Sequence, residues 1–457
     1  MKLSMKQLLN VWPLLAFIFG QSISYYPELT FRYESDSEQY SMEELSIQDY
    51  ELTITGQYTS KKLNILTRMG YHLIDGMNGD PSDFSREQGL HWYEYSPGIG
   101  TDQKNYYIVD MKLQYGDSTS YLYFNKWNQH WGPGVNSLTI SNKVPNFFHF
   151  GFEWQLTKKI HFKYFHGKLK SEIIDESYTD DYIDNDGGAR KFDIIRNIAG
   201  HRLEWQPHKQ IIISGSELIT YANRDIEFAY MLPFIPFFPI QTYVGETDNV
   251  IMSGDIQYFP REDIIMYGVL IVDEWSPPVT FDNKENRNWF GWQLGFSWRD
   301  ILFSESRLRI EYTWTDHRIY RHRFNVNDFY SYGYPVGFWA GPHAEEFYID
   351  YKFVMGENYC NFMYSDAKRG QLTEEMIINQ YNSEYIERFS EDTENKQVYK
   401  FTLRRKINKN VNLSCSYTYV DWENSGGRFN SESSELIINK GHDINKHSFG
   451  FGLGFKY

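Results

Sequence analysis

The chain has few cysteines and no long apolar run beyond its first residues. Cys360 and Cys415 are the only cysteines among 457 residues, and their spacing fits neither a disulfide framework nor a metal site. No run of 18 apolar residues follows the N-terminal stretch, so a membrane-spanning helix is excluded there. A phosphate-binding glycine loop, a zinc motif and a basic nucleic-acid patch are also absent. Of the structures that can span a membrane, only a β-barrel stays open to this sequence.

The composition combines many aromatic residues with a hydrophilic average. Aromatic residues make up 18% of the chain, the mean hydropathy is -0.58 and the formal net charge is -15. A wall that is apolar on one side and polar on the other explains both of the first two values. A chain this acidic repels nucleic acid, so we expect no nucleic-acid partner.

The first 24 residues have the form of an export signal. Lys2 and Lys6 precede an apolar core from about Val11 to Phe19, and Ser22-Ile23-Ser24 offers a small-residue cleavage site. The apolar core is too short to span a membrane. We therefore expect residues 1–24 to be a signal peptide and residues 25–457 to be the mature protein; an N-terminal anchor helix is the alternative.

Segments with a period of two recur along the whole chain, which is typical of strands that separate two environments. Short connections such as 116–118 and 407–410 alternate with long polar ones such as 75–100 and 316–345. The pattern predicts an all-β protein, a transmembrane antiparallel β-barrel of about 18 strands with long extracellular loops, in the outer membrane of a Gram-negative bacterium. A soluble solenoid would need a sequence repeat, and none is found. The clearest predicted strands are Tyr50–Tyr58, Leu63–Leu73, Tyr106–Tyr115, Thr119–Trp127, Phe148–Leu156, Ile160–Lys168, Ala199–Trp205, Ile211–Tyr221, Asn249–Phe259, Ile264–Glu274, Phe290–Trp298, Leu308–Thr315, Phe347–Met355, Tyr359–Tyr364, Val398–Lys406, Val411–Tyr419 and His447–Tyr457.

The C-terminal residues strengthen this prediction. Phe449, Phe451, Leu453, Phe455 and Tyr457 alternate with small or polar residues, and the chain stops on an aromatic residue. A terminal strand of this form resembles the signal that the barrel-assembly machinery recognises. We therefore expect that machinery as a partner during insertion, outer-membrane lipid and lipopolysaccharide as surroundings, and a monomer.

Two aromatic stretches stand out between the predicted strands. The first contains the corner Trp-Gly-Pro-Gly at 131–134, where glycine and proline permit a sharp change of direction. The second, Tyr230–Pro239, holds three prolines, which rule out a spanning helix or a central strand. We expect this second stretch to fold into the lumen or to lie at the bilayer interface, where aromatic residues are stable.

Aromatic residues beside Asn, Gln and Asp indicate candidate glycan contacts, because ring faces stack on sugars while the polar groups bond to hydroxyls. An interfacial girdle or loop packing is the alternative for each of them. The candidate glycan contacts are Trp127, Asn128, Trp131, Tyr334 and Trp339. The residues assigned to the architecture of the motifs are Gly132, Pro133, Gly134, Gly341 and Pro342.

The acidic segment 175–188 partly matches a calcium loop, with Asp184 and Asp186 as candidate ligands. A solvated loop is the alternative, and no other cofactor is expected. His317, His343 and His442 lie near carboxylates in the sequence, but no nucleophile motif accompanies them. We therefore expect no enzyme; an outer-membrane hydrolase is a third hypothesis.

Three stretches together resemble the capsule assembly proteins of the Wzi type. They are Phe124 to Asn142 with its WGPG corner, Asp263 to Trp275, and Glu311–Thr313 followed by Tyr334–His343. Within the second stretch, Val269 stands where that family would have an acidic residue. The family also carries a helical bundle near the N-terminus, which is reduced or missing here because only Ser41–Asp49 has a helical pattern.

The resemblance implies an outer-membrane barrel of about eighteen strands that binds capsular or exported polysaccharide as a lectin and helps to assemble or retain it at the cell surface. A porin-like channel for small solutes is the alternative, because the same barrel pattern fits it equally well.

Overall fold

The protein is an all-β barrel of antiparallel strands. The computed structural model describes residues 24–41, 43–76, 81–90, 103–179, 192–276, 278, 280, 288–379 and 387–456. Eighteen of its strands form one closed sheet, and the four remaining short strands form two separate pairs, β14 with β15 and β20 with β21. The strands are β1 Ser24–Ser35, β2 Ile47–Thr59, β3 Leu63–Asp75, β4 Gln103–Gly116, β5 Ser120–Trp127, β6 Phe147–Thr157, β7 Ile160–Ile174, β8 Asp193–His208, β9 Ile211–Ala222, β10 Asn249–Arg261, β11 Ile264–Glu274, β12 Trp289–Arg299, β13 Arg307–Thr315, β14 Tyr330–Ser331, β15 Tyr334–Pro335, β16 Ala344–Met355, β17 Asn358–Gly370, β18 Thr393–Lys406, β19 Val411–Glu423, β20 Arg428–Asn430, β21 Glu435–Ile437 and β22 Ile444–Lys456.

The sheet closes between its first and last strands. Strand β1 pairs with β2 on one side and with β22 on the other, and Glu28 lies opposite Lys456 in that second pairing. Closure removes the free edges that an open sheet would present. The prediction of an antiparallel barrel of about 18 strands is confirmed.

The two ends of the barrel differ in the length of their connections. At one end, which we call the short-turn end, turns such as 60–62, 117–119 and 407–410 join neighbouring strands, and Ser24 and Lys456 lie at the same end. At the other, the long-loop end, connections such as 128–146 and 316–343 are much longer. In bacterial outer-membrane barrels, short turns face the periplasm and long loops face outward.

The outward face of the wall is apolar. Phe148 and Trp154 on β6 and Phe449 and Phe451 on β22 are exposed on it, as the sequence alternation predicts, while His149 and Ser448 turn inward. Such a band suits contact with lipid. Within the part of the chain that the structure describes, no helix has the length and apolar character needed to cross a membrane.

The main hydrophobic core lies inside the barrel, at the long-loop end. It joins inward residues of the strands, such as Phe165 and Trp422, to loop residues such as Trp131 and Phe338. The segment 41–49 is not the helix that its pattern predicts, since β2 begins at Ile47 and the described residues before it are irregular. The tight pairing of β2 with β1 takes precedence over the local helical preference.

The Tyr230–Pro239 stretch lies on the outside of the wall and does not enter the lumen. It forms parts of a 3-10 helix, Phe228–Met231, and of an α-helix, Phe237–Val244. Tyr230 and Phe237 pack on Phe162 and Tyr164, whose cross-strand partners on β6 are the outward-facing Trp154 and Phe152. The remaining short helices are Glu176–Thr179, Glu374–Ile378 and the 3-10 turn Asn325–Asn327.

Candidate functional site

Three connections fold into the long-loop end of the lumen and together form what we call the plug: residues 81–90, 128–146 and 316–343. Their apolar side chains supply much of the luminal core, including Phe84, Leu138, Val336 and Trp339. All four are almost fully buried. The described loops therefore fill this end of the barrel with a packed core.

Hydrogen bonds within the 128–146 loop stabilise the Trp-Gly-Pro-Gly corner. The amide of Trp131 donates to the carbonyl of Ile140 at 3.0 Å, and the Ser137 hydroxyl donates back to the carbonyl of Trp131. Gly132 has a φ of +112°, a conformation that favours glycine. Gly134 runs so close to the Gln293 side chain that a Cβ atom would overlap it. The corner thus needs glycine for two different reasons.

The corner crosses the lumen and bonds to the opposite wall. The Val135 amide donates to Oε1 of Glu311 on β13 at 2.8 Å, and the Tyr267 hydroxyl on β11 donates to the same oxygen. The Asn136 side chain donates to Oε2 of Glu346 on β16 at 3.2 Å. Two buried carboxylates therefore fix the tip of the corner far from its own strands.

Glu346 also collects donors from three other elements. The Trp339 indole donates to its Oε2 at 2.9 Å and the Ser365 hydroxyl to its Oε1 at 2.6 Å, while Arg86 forms an ion pair with it. Burial alone would lower the pKa of Arg86, but the Glu346 carboxylate outweighs this and raises it. Four donors therefore meet the two oxygens of the buried Glu346 carboxylate, and a buried charge requires such partners.

The WGPG loop and the 316–343 loop bind each other directly. The Tyr320 hydroxyl donates to the carbonyl of Leu138 at 2.5 Å, and the Ser141 amide donates to the carbonyl of Val336 at 2.8 Å. A Cβ atom at Gly337 would overlap both the Leu138 carbonyl oxygen and the Tyr320 hydroxyl. The first and third motif stretches of the sequence therefore form one packed unit.

Buried lysines hold the plug together and attach it to the wall through backbone carbonyls. Lys143 donates to the carbonyls of Ser85 at 2.5 Å and Glu87 at 3.0 Å, and Lys396 on β18 donates to those of Glu38 at 2.9 Å and Phe84 at 3.1 Å. Burial lowers the pKa of Lys143 to about 7. Its charge therefore changes near neutral pH.

A cavity of about 390 Å³ lies between the plug and the inward faces of β16, β17 and β18. Its size falls within the range of about 300–1,000 Å³ that is usual for small-molecule sites. Plug residues such as Arg86, Asn136 and Trp339 form its roof. Lys352 and Arg404 bring it close to the short-turn ends of β16 and β18. The strand residues that line it are Tyr348, Asp350, Lys352, Asn361, Met363, Ser365, Lys396, Val398, Lys400, Thr402 and Arg404.

The cavity wall is rich in cationic and hydrogen-bonding groups although the whole chain is acidic. Six of its lining residues are basic, namely Arg86, Lys143, Lys352, Lys396, Lys400 and Arg404, and three are acidic, namely Glu38, Glu87 and Asp350. Lys352 pairs with Oδ2 of Asp350 at 3.0 Å, while Oδ1 of Asp350 and Oδ1 of Asn361 are buried without a hydrogen-bond partner among the described residues. Donors, free acceptors and the ring of Trp339 together suit a ligand with many hydroxyl groups.

The predicted glycan contacts fall into two groups. Trp131 and Tyr334 are buried in the plug; Trp131 meets Phe165 edge-on and Lys143 lies over the Tyr334 ring, so we assign both to packing. Trp339 is only 3% exposed but forms part of the cavity roof.

Trp127 and Asn128 are partly exposed on the luminal side. The ammonium group of Lys112 lies 4.3 Å from the centre of the Trp127 ring, and Gln88, which lines the cavity, donates to Asn128 at 3.0 Å. Asn128 therefore adjoins the cavity through Gln88, while Trp127 lies on the luminal face at the end of β5.

The second motif, Gly341 and Pro342, sits where the 316–343 loop returns to the wall. Gly341 has a φ of +79°, and its carbonyl accepts a bond from the Thr315 hydroxyl at 2.9 Å. Asp184 and Asp186, the candidate calcium ligands, lie outside the described residues. Within those residues, no group of three His, Cys, Asp or Glu side chains could hold a metal ion.

The histidines of the hydrolase hypothesis have structural partners. His317 and His343 are buried with ring centres 5.8 Å apart, and His343 accepts a bond from the Phe389 amide at 3.0 Å. Burial lowers the pKa of His317 to about 4 and that of His343 to about 3. His442 contacts the hydroxyl of Ser425 at 2.7 Å, but Ser425 is completely buried. No substrate could reach that hydroxyl in this arrangement.

Sequence reasoning missed the cavity wall. Lys396, Lys400 and Arg404 lie at every fourth position of β18, and Asp350 and Lys352 at alternate positions of β16. The signal was present in the polar positions of the alternation, which set one face of each strand. Only the apolar positions were used to recognise the barrel.

The fold and the site define a class of protein: an outer-membrane β-barrel whose lumen is filled at one end by its own loops. No protein-family model and no curated protein sequence matches the chain.

Among solved structures, the chain is similar to Wzi, described as an outer membrane protein involved in group 1 capsule assembly in Escherichia coli and as a carbohydrate-binding β-barrel. The identity is 10% and the TM-score 0.58, over 100% of this chain and 89% of that one. OccAB2 of Acinetobacter baumannii matches with 8% identity and a TM-score of 0.48, over 95% of this chain and 98% of that one. OprD of Pseudomonas aeruginosa matches with 9% identity and a TM-score of 0.44, over 95% of both chains. At these identities the likeness extends to the barrel fold.

Proposed function

We propose that this protein is a non-enzymatic, lectin-like barrel that binds exported polysaccharide at the outer membrane and helps to assemble or retain it at the cell surface. The observation that carries the proposal is the pairing of a packed plug with a polar cavity directly beneath it. A related role for Wzi, the carbohydrate-binding barrel whose fold this chain shares, adds support.

The plug supports binding over conduction. A barrel of this size can enclose an aqueous bore, but here the connections cross the lumen and share a hydrophobic core with both walls. Their anchors include the buried Glu311 and Glu346, each with donors from more than one element. Opening a path through this end would require breaking these bonds together.

The cavity supplies the chemistry that a sugar needs. The free acceptor of Asn361 matches a hydroxyl donor, while Lys352 and Arg404 match hydroxyl or carboxylate oxygens. We assign these three residues to ligand contact, with Trp339 at the roof and Asn128 at the rim through Gln88. Asp350 is completely buried and holds Lys352 in place. In the usual orientation of outer-membrane barrels the cavity lies on the periplasmic side of the plug. It would therefore bind the polysaccharide before it reaches the surface, and retention at the cell surface would need a further contact on the long loops.

The test is a binding titration of the purified protein with the polysaccharide of its native host. Asn361→Leu and Arg404→Gln each remove one cavity contact. We expect the affinity to fall about tenfold, because one hydrogen bond to the ligand is worth roughly 1.4 kcal/mol. Lys409→Gln, which removes the same charge from an exposed turn, serves as the control and should bind like the unmodified protein. Equal affinity in all four proteins would overturn the assignment of the cavity.

The channel alternative is tested in planar bilayers. We expect the purified protein to give no steady open-channel current, because the plug fills the lumen. A large and steady conductance, together with a normal capsule and loss of small-solute uptake after deletion in the native host, would replace the lectin-like function by a porin-like one.

A further inference from the structure

The connection between β9 and β10, residues 223–248, runs down the outside of the barrel; we call it the outer-wall segment. Its buried side packs on residues of β7, β8, β9 and β10 that face away from the lumen. The phenyl rings of Phe234 and Phe162 stack at 4.7 Å, and Trp154 is 6.2 Å from Phe234. The segment therefore covers a part of the wall that belongs to the lipid-facing band.

The other side of the segment is aromatic and uncharged. From Phe228 to Val244 there is no Asp, Glu, Lys or Arg. Phe234 lies at the edge of this side, since its ring is exposed and also stacks on Phe162. Six large apolar side chains of the segment are exposed: Phe228, Leu232, Phe234, Ile235, Phe238 and Tyr243. This surface continues the apolar band of the neighbouring strands, where Leu203 and Trp205 are exposed as well.

At the start of the helix Phe237–Val244, no backbone N–H group is left without a hydrogen-bond acceptor. The first four N–H groups of a helix lack partners within it. Here the N-cap is Pro236 and the third helical residue is Pro239, neither of which has an N–H. The amides of Phe237 and Phe238 donate to the two carboxylate oxygens of Glu217, at 2.6 and 2.8 Å. In water this arrangement would be unnecessary, whereas in hydrocarbon every such group needs a partner.

Further polar groups on the buried side of the segment are paired as well. Glu217 also pairs with His201 at 3.0 Å, and the Tyr164 hydroxyl donates to the carbonyl of Tyr230 at 3.0 Å. The Tyr230 hydroxyl donates to Asp248 at 2.5 Å. Polar groups on an outward face of a barrel are thus enclosed between the wall and the segment.

We propose that the outer-wall segment is inserted in the hydrocarbon of the bilayer, so that its exposed aromatic face binds lipid acyl chains. Its far end marks the water boundary: Gly245 closes the helix in a left-handed conformation, and Arg323 donates to the carbonyl of Glu246 at 2.7 Å. The barrel therefore presents two layers to lipid over β6–β10. This proposal does not depend on the ligand of the lumen.

Cysteine labelling in liposomes tests the insertion. In a background with Cys360→Ala and Cys415→Ala, Phe234→Cys and Phe238→Cys are exposed to a membrane-impermeant maleimide. Leu294→Cys on β12 is the lipid-facing control, because Leu294 is exposed to the same extent, 58% against 59% for Phe234. Lys440→Cys in a long loop is the aqueous control, with 76% of the Lys440 side chain exposed.

We expect both segment cysteines to react at least tenfold more slowly than Lys440→Cys and at the rate of Leu294→Cys, and to react fully once the protein is denatured. Rates equal to that of Lys440→Cys would place the segment in water and overturn the proposal. Crosslinking of Phe234→Cys to a second copy or to another protein in native membranes would equally overturn it, because the face would then bind protein.

Glu217→Leu provides a second measurement. The substitution removes both acceptors of the helix amides without adding a charge, so the segment should detach from the wall. We expect labelling of Phe234→Cys to become at least several-fold faster in this variant while the barrel still shows the heat-modifiable mobility of a folded protein. An unchanged labelling rate in a folded barrel would contradict the role of Glu217.

Discussion

The two ends of the lumen are built from the same strands, but one end holds a packed core and the other a polar cavity. Towards the long-loop end, β16 contributes Ala344 and Glu346 to a packed core, while towards the short-turn end it contributes Asp350 and Lys352 to a polar cavity. The difference comes from the loops, because only the plug supplies apolar partners for inward residues. The inner face of one barrel wall can therefore be part of a packed core near the long-loop end and line a cavity near the short-turn end.

The comparison also separates two uses of charge. In the plug, carboxylates such as Glu346 are surrounded by donors from several elements and hold the loops in place. In the cavity, Asp350 and Asn361 keep free acceptor atoms. Glu311 at the plug also keeps a free oxygen, Oε2, so a free acceptor indicates a ligand only where it lines the cavity, as it does for Asn361.

The largest expected effect comes from removing the Glu346 carboxylate. Glu346→Ala leaves Arg86 buried without its partner and frees Asn136 and Trp339, which for a broken buried ion pair costs about 3–5 kcal/mol. We expect a large fall in the thermal unfolding midpoint and the appearance of channel current, measured by heat modifiability and planar-bilayer recording.

Glu357→Gln, in an exposed turn at the short-turn end, is the control for this change and should alter neither quantity. A Glu346→Ala protein with an unchanged midpoint and no current would mean that the plug does not depend on this carboxylate, and the contrast between the two ends would weaken.

A methyl group at Gly337 should disturb the contact between the two motif loops. Its Cβ would overlap the Leu138 carbonyl oxygen and the Tyr320 hydroxyl, and overpacking of this kind typically costs about 1–3 kcal/mol. Gly337→Ala should therefore lower the unfolding free energy, while Gly215→Ala, where nothing lies within 4 Å, should not. Equal stability of the two variants would show that the loops separate easily.

Lys143 should make the stability of the plug depend on pH. Its pKa is about 7 when folded and about 10.5 when unfolded, so between these values the unfolded chain binds more protons and stability rises with pH. From pH 7 to pH 9 the unmodified protein should gain roughly 2 kcal/mol relative to Lys143→Met. Denaturant titrations at the two pH values measure this difference. The same change of unfolding free energy with pH in both proteins would contradict it.

The smallest effect is expected outside both regions. Lys440 pairs with Asp392 at 3.0 Å on the surface of the long-loop end, and both side chains are exposed. Such pairs are worth about 0–1 kcal/mol. Lys440→Ala should therefore leave the unfolding midpoint almost unchanged. A marked fall in the midpoint would mean that the packed plug extends further outward than the luminal core indicates.

The barrel itself could be predicted because lipid contact imposes a strict alternation on each strand. The outward Phe148, Phe150, Phe152 and Trp154 fall on one face as expected, and the C-terminal Phe449 to Phe455 do the same. Strand ends were less predictable. The structure continues β17 to Gly370 and β8 from Asp193, because inward polar residues there pair with plug loops and hide the alternation.

The internal site was largely beyond sequence reasoning. The WGPG corner could be recognised as structured, but its contacts with Glu311 and Glu346 join residues more than a hundred positions apart. The predicted sugar-stacking roles of Trp131 and Tyr334 rested on aromatic type, which cannot distinguish a buried ring from an accessible one. For Tyr230–Pro239 the sequence left two locations open, the lumen and the bilayer interface. Only its packing on the outer face of the wall excludes the lumen.

The buried lysines that hold loop segments inside the lumen have a consequence for evolution. Lys143, Lys396 and Lys446 donate to main-chain carbonyls, the last of them to Ser37 at 2.6 Å and Tyr40 at 2.8 Å. A main-chain carbonyl survives nearly every substitution of its residue. The side chains of the tethered segments 37–40 and 84–87 can therefore change during evolution without loss of these hydrogen bonds. Such changes would alter the groups that these segments offer to a ligand. In relatives we expect the three lysines to vary less than the residues they hold.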